Sequence, residues 1–193
     1  MPFGRKLSKP RPPLNAAGLF DYAVKALGRR MRSEADLRRL MKARVEAGES
    51  GDAGDSIIAA VLVRLKEYGY LNDQSFAETY ARLRQENEKF GVRRVRQDLQ
   101  QKGLAPALIT ETLEARYASI NEETLARQHL ERKRIRKPEN EKETARIMRR
   151  LVAAGFSTGV IYKILRQWHI PDEALAALED LSLETHGDEP HEE

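Results

Sequence analysis

Cysteine is absent from all 193 residues. This excludes a disulfide framework, thiolate metal sites and cysteine nucleophiles together, and it is compatible with a reducing compartment. Aromatic residues are scarce at 6%, with a single tryptophan, Trp168. That composition suits several small helical cores better than one thick sandwich. No apolar run approaches the roughly 20 residues needed to cross a bilayer. The opening stretch, Met1 to Pro13, is basic and proline-rich but has no apolar segment of the secretory type. The chain therefore reads as cytoplasmic.

Strand signals are missing too. There is no sustained alternation of apolar and polar residues, and no Asn-Gly or Asp-Gly turn joins β-branched runs. Motifs for catalysis are equally absent: no P-loop, no paired-glycine dinucleotide turn and no Gly-x-Ser-x-Gly. His129, His169, His186 and His191 form no His-Glu-x-x-His pattern, so no metal is expected. His169, beside Trp168, reads as a helix-end residue. Adjacent carboxylates such as Glu122 and Glu123 would point apart on a helix, so no catalytic carboxylate pair is supported. No catalytic residue, cofactor or enzymatic activity is expected.

What the chain does contain is charge and helical spacing. Apolar residues make up 40% and charged residues 33%, with a net charge of +4. Residues 1–15 read as a flexible basic arm, with Arg5, Lys6, Lys9 and Arg11 among prolines. Residues 171–193 read as a helix running to Leu181 followed by an acidic tail, which carries Glu184, Asp188, Glu189, Glu192 and Glu193. Between them the expectation is all-α. Ser33 is a good N-cap for a helix bearing Leu37, Leu40 and Met41. Ile58, Val61, Leu62 and Leu65 form an i, i+3, i+4, i+7 stripe. Asp73 is expected to cap a helix whose inner face is Phe76, Ala77, Tyr80 and Leu83. Val92, Val95 and Leu99 line another helix, with Gly103 at its C-terminal left-handed position and Pro106 opening the next.

The chain also resembles itself. Val95, Leu99, Gly103, Ile109 and Leu113 recur as Ile147, Leu151, Gly155, Ile161 and Leu165, each 52 positions on. An earlier copy runs through Ser33, Leu37, Met41, Ile58 and Leu62, with Val45 where the others have glycine. There Glu46 to Asp55 reads as a polar, glycine-rich loop about seven residues longer than its counterparts. A unit of about 50 residues buries little alone, and tandem copies stabilise one another through shared interfaces. The expected organisation is repeat 1 over residues 16–72, repeat 2 over 73–120 and repeat 3 over 121–170. The alternative is one irregular bundle whose helices match by coincidence.

Three stretches carry a family resemblance. Leu65-Lys66-Glu67-Tyr68-Gly69-Tyr70-Leu71-Asn72-Asp73, followed by Phe76-Ala77 and Tyr80, resembles the end of the first repeat of the RecX proteins. Gly91 to Gly103 resembles the middle helix of that family's second repeat, and Arg149 to Ser157, with Ile161 and Leu165, resembles the third. The resemblance covers about Leu19 to Trp168. It implies three tandem three-helix repeats forming an elongated, curved molecule. It also implies a regulator that binds the RecA recombinase filament on single-stranded DNA and inhibits strand exchange, ATP hydrolysis and co-protease function. Tyr68, Gly69, Tyr70, Leu71, Asp73, Phe76, Gly103 and Gly155 are its structural residues, Gly69 permitting a positive-φ turn.

Candidate contact residues are basic. One group is Arg82, Arg84, Arg93, Arg94, Arg96 and Lys102; the other is Arg127, Arg132, Lys133, Arg134, Arg136 and Lys137, continued by Arg146, Arg149 and Arg150. The 52-residue register matches Arg94 to Arg146, so successive repeats are expected to present similar basic faces to a filament or to single-stranded or duplex DNA. The bland reading is a solvated surface offset by Glu86, Glu88, Asp98, Glu131 and Glu143. No aromatics interleave with these cations, so stacking on bases is not expected. The rival function is a direct DNA-binding module of helix-turn-helix-like repeats. No membrane contact is expected, and the chain reads as a monomer.

Overall fold

The structure, a computed structural model, describes residues 15–45 and 52–170. These form nine α-helices and no strand: α1 (Ala16–Arg29), α2 (Glu34–Val45), α3 (Asp52–Glu67), α4 (Asp73–Glu88), α5 (Val92–Gln101), α6 (Pro106–Tyr117), α7 (Glu122–Arg132), α8 (Glu141–Ala153) and α9 (Thr158–Gln167). The expected basic arm up to residue 14, the expected C-terminal helix and the acidic tail lie outside the described residues. So do residues 46–51 of the glycine-rich loop. The rest of that stretch differs from expectation, because residues 52–55 are the first turn of α3. Carboxylates are stabilised at a helix start by the unpaired N–H groups there, and Asp55 supplies one.

Two compact units divide the described residues, one within 15–79 together with 99–109 and the other 80–98 together with 110–170. In the first, α1 and α2 both pack on α3, around Leu19, Leu37, Met41, Ile58, Leu62 and Leu65, none more than 2% exposed. In the second, α7 and α8 both pack on α9, around Leu125, Leu130, Leu151, Phe156, Ile161 and Leu165. The third helix of each triplet thus covers the two before it. Nine of the ten residues of the 52-residue register are buried, Gly103 alone among them being exposed, and α5–α6 and α8–α9 play the same structural roles.

Helix starts follow their capping chemistry, with one correction. Asn15 Oδ1 accepts from Gly18 N–H at 2.9 Å and Asn121 Oδ1 from Thr124 N–H at 2.9 Å. Ser33 Oγ accepts from Asp36 N–H at 3.1 Å, as expected. Asp73, however, does not cap its own helix. Asn72 does so, accepting from Ser75 N–H at 2.9 Å. Asp73 Oδ1 instead accepts from Glu34 N–H at 2.8 Å, so the carboxylate serves the first turn of α2. Burial there pushes its pKa up. Leu83 also departs from expectation, being 42% exposed. The inner face of α4 runs Ala77, Ala81, Gln85 at i, i+4 spacing, and the buried Gln85 amide oxygen accepts from the Arg116 guanidinium.

Helix ends explain the recurring glycine. Gly103 N–H donates to Gln100 O at 2.8 Å and Leu104 N–H to Leu99 O at 3.3 Å; Gly155 N–H donates to Val152 O at 2.9 Å and Phe156 N–H to Leu151 O at 3.2 Å. Both glycines are left-handed, at φ +74° and +88°. Each also abuts the start of an earlier helix. In the first unit, a Cβ on Gly103 would lie 2.5 Å from Ala35 Cβ, and Ser33 Oγ donates to Lys102 O at 2.6 Å. In the second, a Cβ on Gly155 would lie 2.2 Å from Arg94 N, and Gly91 N–H donates to Ala154 O at 2.9 Å. Lys102 and Ala154 are register partners, so one joint is built twice. Val45, at the matching place in the first copy, is a helical residue buried in the core of its unit.

Substituting alanine for these glycines should separate conformational strain from crowding. Gly69, at φ +71°, has nothing within 4 Å of a would-be Cβ. Gly69→Ala is therefore expected to cost about 1–2 kcal/mol from the left-handed backbone alone. Gly155→Ala adds an overlap with backbone that cannot move aside, for about 3–5 kcal/mol in total. Denaturant unfolding of the two variants checks the order.

Candidate functional site

The stretch between α7 and α8 is basic, and its path follows from a helix end and two apolar anchors. Lys133 N–H donates to His129 O at 3.0 Å, Arg134 N–H to Glu131 O at 2.9 Å and Ile135 N–H to Leu130 O at 2.9 Å, with Arg134 left-handed at φ +52°. Ile135 then packs on the core of its unit, and Pro138 is buried. Arg136 and Lys137 between these anchors, and Lys133 and Arg134 just before them, are left exposed.

Helix α8 completes the site from the other side. Arg146 and Arg150, at i and i+4, share a face of α8 and meet the basic stretch across a cavity of 330 Å³. Six cations line it, Lys133, Arg134, Arg136, Lys137, Arg146 and Arg150, against two carboxylates, Glu139 and Glu143. Glu143 is already engaged, accepting from Glu139 N–H at 3.0 Å. A second cavity of 490 Å³ shares Lys133, Ile135 and Arg150. Its floor is Phe90, His129, Ala153 and Ala154, and its remaining rim residue is Arg94. The arrangement is a basic groove with a partly apolar floor, suited to an anionic chain or an acidic protein surface.

Of the basic residues expected at a contact face, the fold gathers only some here. Arg82 pairs with Glu86 at 3.2 Å, Lys102 with Asp36 at 3.1 Å, Arg132 with Glu88 at 3.6 Å and Arg127 with Glu123 at 2.9 Å. Arg84 reaches Asp98 at 3.5 Å and donates to the Tyr80 hydroxyl at 2.8 Å, while Arg96 donates to Thr110 Oγ1 at 3.1 Å. Arg93 and Arg149 are exposed and line neither cavity. Among the described residues, Arg134, Arg136, Lys137, Arg146 and Arg150 have no carboxylate within ion-pair distance, whereas Lys133 also pairs with Glu88 at 3.2 Å.

The matched arginines Arg94 and Arg146 differ electrostatically. Arg94 Nε lies 3.1 Å from Asp98 Oδ1, an ion pair without the alignment of a hydrogen bond, and Asp98 is 7% exposed. One register step on, Asp98 is replaced by Arg150. The same i, i+4 position that neutralises Arg94 therefore doubles the charge beside Arg146. Reversing Arg94 would set two carboxylates together, one of them buried; reversing Arg146 would not.

Phe90, His129 and Ile135 were not singled out in the sequence as site residues. A lone isoleucine inside a basic run is a signal for an anchored loop, but nothing local marks Phe90 or His129. The imidazole is sandwiched, with ring centroids 5.8 Å from Phe90 and 5.7 Å from Phe156. Its Nδ1 lies 3.0 Å from the Glu88 carbonyl oxygen, an acceptor only, so that nitrogen carries the proton. Burial pushes the His129 pKa down, and Lys133 and Arg132 push the same way. The folded state then binds fewer protons than the unfolded one below the ordinary imidazole value of about 6.5, so stability falls as pH drops from there. His129→Phe removes the titration, and its melting temperature should fall less than that of the unaltered chain between about pH 7 and 5.5. Parallel slopes would show that His129 does not set this dependence.

Known proteins bear on these observations directly. Residues 72–113 match the family model for the second three-helix domain of RecX. The chain is 33% identical to the regulatory protein RecX of Leptothrix cholodnii, over 81% of this chain and 90% of that one. It is 42% identical to the regulatory protein RecX of Deinococcus radiodurans, over 51% of this chain and 43% of that relative. The crystal structure of RecX from Lactobacillus salivarius has the same fold, with a TM-score of 0.56 at 18% identity over 80% of this chain and 96% of that one. With nine described helices in the expected order and a relative matched over nearly its whole length, the chain belongs to the RecX family of regulatory proteins.

Proposed function

We propose that this chain binds the RecA recombinase filament on single-stranded DNA in the cytoplasm and inhibits its strand exchange, ATP hydrolysis and co-protease function. It acts by binding alone, as a monomer, without metal or nucleotide. Family membership supports the partner. The observation that carries the contact surface is the groove, in which Arg134, Arg136, Lys137, Arg146 and Arg150 have no carboxylate within ion-pair distance among the described residues. Unpaired cations this close repel one another, and an anionic surface relieves that repulsion. A filament offers the same surface on every protomer, so weak contacts made by linked repeats add through effective concentration. A ligand that prefers one filament state holds the filament there, which is sufficient to inhibit turnover.

The same cations support a second reading, direct binding to the phosphates of DNA. The readings part on what the groove needs. A DNA binder holds bare duplex with a steep salt slope; a filament regulator acts only where recombinase is present.

Arg146→Glu with Arg150→Glu tests the groove. Both side chains are exposed and unpaired, so the melting free energy should change by no more than about 0.5 kcal/mol. Inhibition of recombinase ATPase on single-stranded DNA is expected to weaken by roughly tenfold or more, because like charges then face each other across the contact. Arg82→Glu, outside the groove, should inhibit as the unaltered chain does. A charge-reversed pair that melts normally and inhibits fully would place the contact on another face.

A further inference from the structure

The first unit carries a surface that the groove does not use. Tyr68 and Tyr70, on the turn after α3, are 59% and 53% exposed. The turn itself is held by its backbone and by its small and apolar members. Tyr68 N–H donates to Arg64 O at 3.1 Å, Tyr70 N–H to Leu65 O at 2.9 Å, Gly69 takes φ +71°, and Leu71 is buried behind it. Neither tyrosine ring is needed for that conformation. Among the described residues neither hydroxyl has a hydrogen-bond partner.

The rings are assembled with others from distant parts of the chain. Phe20 of α1 meets Tyr68 edge-on at 5.9 Å, and Tyr68 lies 6.3 Å from Tyr70. The Arg64 guanidinium stands 4.6 Å from the Phe20 ring centre and 5.4 Å from that of Tyr68. Arg64 has no carboxylate partner among the described residues. Two exposed tyrosine rings and a flat cation thus form one cluster, backed by the half-buried Phe20.

We propose that Phe20, Arg64, Tyr68 and Tyr70 form a stacking platform for the unpaired bases of single-stranded nucleic acid. Every nucleobase presents a flat π-face that stacks on tyrosine, phenylalanine or a guanidinium, whatever its identity. Arg64, stacked on rings through its faces, keeps its edge for a phosphate. Arg64, without a carboxylate partner among the described residues, favours a phosphate chain over a protein surface of mixed charge. Duplex DNA hides its base faces, so the ligand is single-stranded. The platform lies outside the groove and does not depend on the filament reading.

The test uses the full chain without recombinase. A labelled 20-nucleotide deoxythymidine strand is compared by fluorescence anisotropy with an abasic strand of equal length, which keeps the phosphates and loses the bases. The unaltered chain is expected to bind the thymidine strand about tenfold more tightly. Tyr68→Ala with Tyr70→Ala should lower thymidine binding to the abasic level and leave abasic binding unchanged. Tyr68→Phe with Tyr70→Phe should keep the preference, and thermal melts verify that both variants fold. Equal binding of the two strands by the unaltered chain overturns the platform. Undiminished thymidine binding by the alanine pair also overturns it, and weakened filament inhibition alongside that result would assign the rings to a protein contact.

Discussion

Two helix ends in this chain close on the start of an earlier helix at distances that leave no room for a side chain. Gly103 meets Ala35 within the first unit, and Gly155 meets Arg94 and Gly91 within the second. The left-handed backbone at each glycine ends its helix and turns the following apolar residue, Leu104 or Phe156, back into the core. A polar bond crosses each joint, from Ser33 Oγ to Lys102 O in one and from Gly91 N–H to Ala154 O in the other. The carbonyls left open at the end of one helix are thereby satisfied by the start of another. The matching position in the first copy lies within α2 and needs no left-handed backbone. Val45 fills it and adds to the core instead.

The repeated joint sets equivalent backbone in place, and the side chains on it then diverge. In the second copy Asp98 collects Arg94, Arg84 and the Tyr80 hydroxyl around one buried carboxylate. In the third, Arg150 takes that place, and its surroundings change from a closed ion-pair network to an open groove. Buried pairs of this kind organise a surface without adding much charge to it. A cation left without a partner is free to recruit one from another molecule. Among the described residues, the copy whose acidic residue has become arginine is the one that presents such a face.

Much of the fold was legible locally. Helical spacing, the Ser33 cap, Pro106 at a helix start and the three positive-φ glycines lie where the residues place them. These properties depend on neighbours within about four positions along the chain. The failures are instructive for the same reason. Asp73 looked like a cap for its own helix, but Asn72 was one residue nearer and freed Asp73 to serve α2, 39 positions away. Leu83 kept helical spacing yet faces solvent, because two alanines and a hydrogen-bonded glutamine form the inner face of α4.

The candidate sites were legible only in part. The sequence by itself determined an all-α chain, the register that relates its later copies, the positions where only glycine fits, and the family to which those residues belong. Tertiary structure alone decided which cations are spent on carboxylates. It also decided that Phe90 and His129 floor a groove rimmed by arginines, and that Phe20 comes to rest against Tyr68 and Arg64. The division has a physical cause. Helix formation and capping are read within a turn or two of backbone, where sequence distance and spatial distance agree. Ion pairing and ring stacking act over a few ångströms between residues as far apart in the chain as Asp36 and Lys102, and only the packed fold makes those distances short.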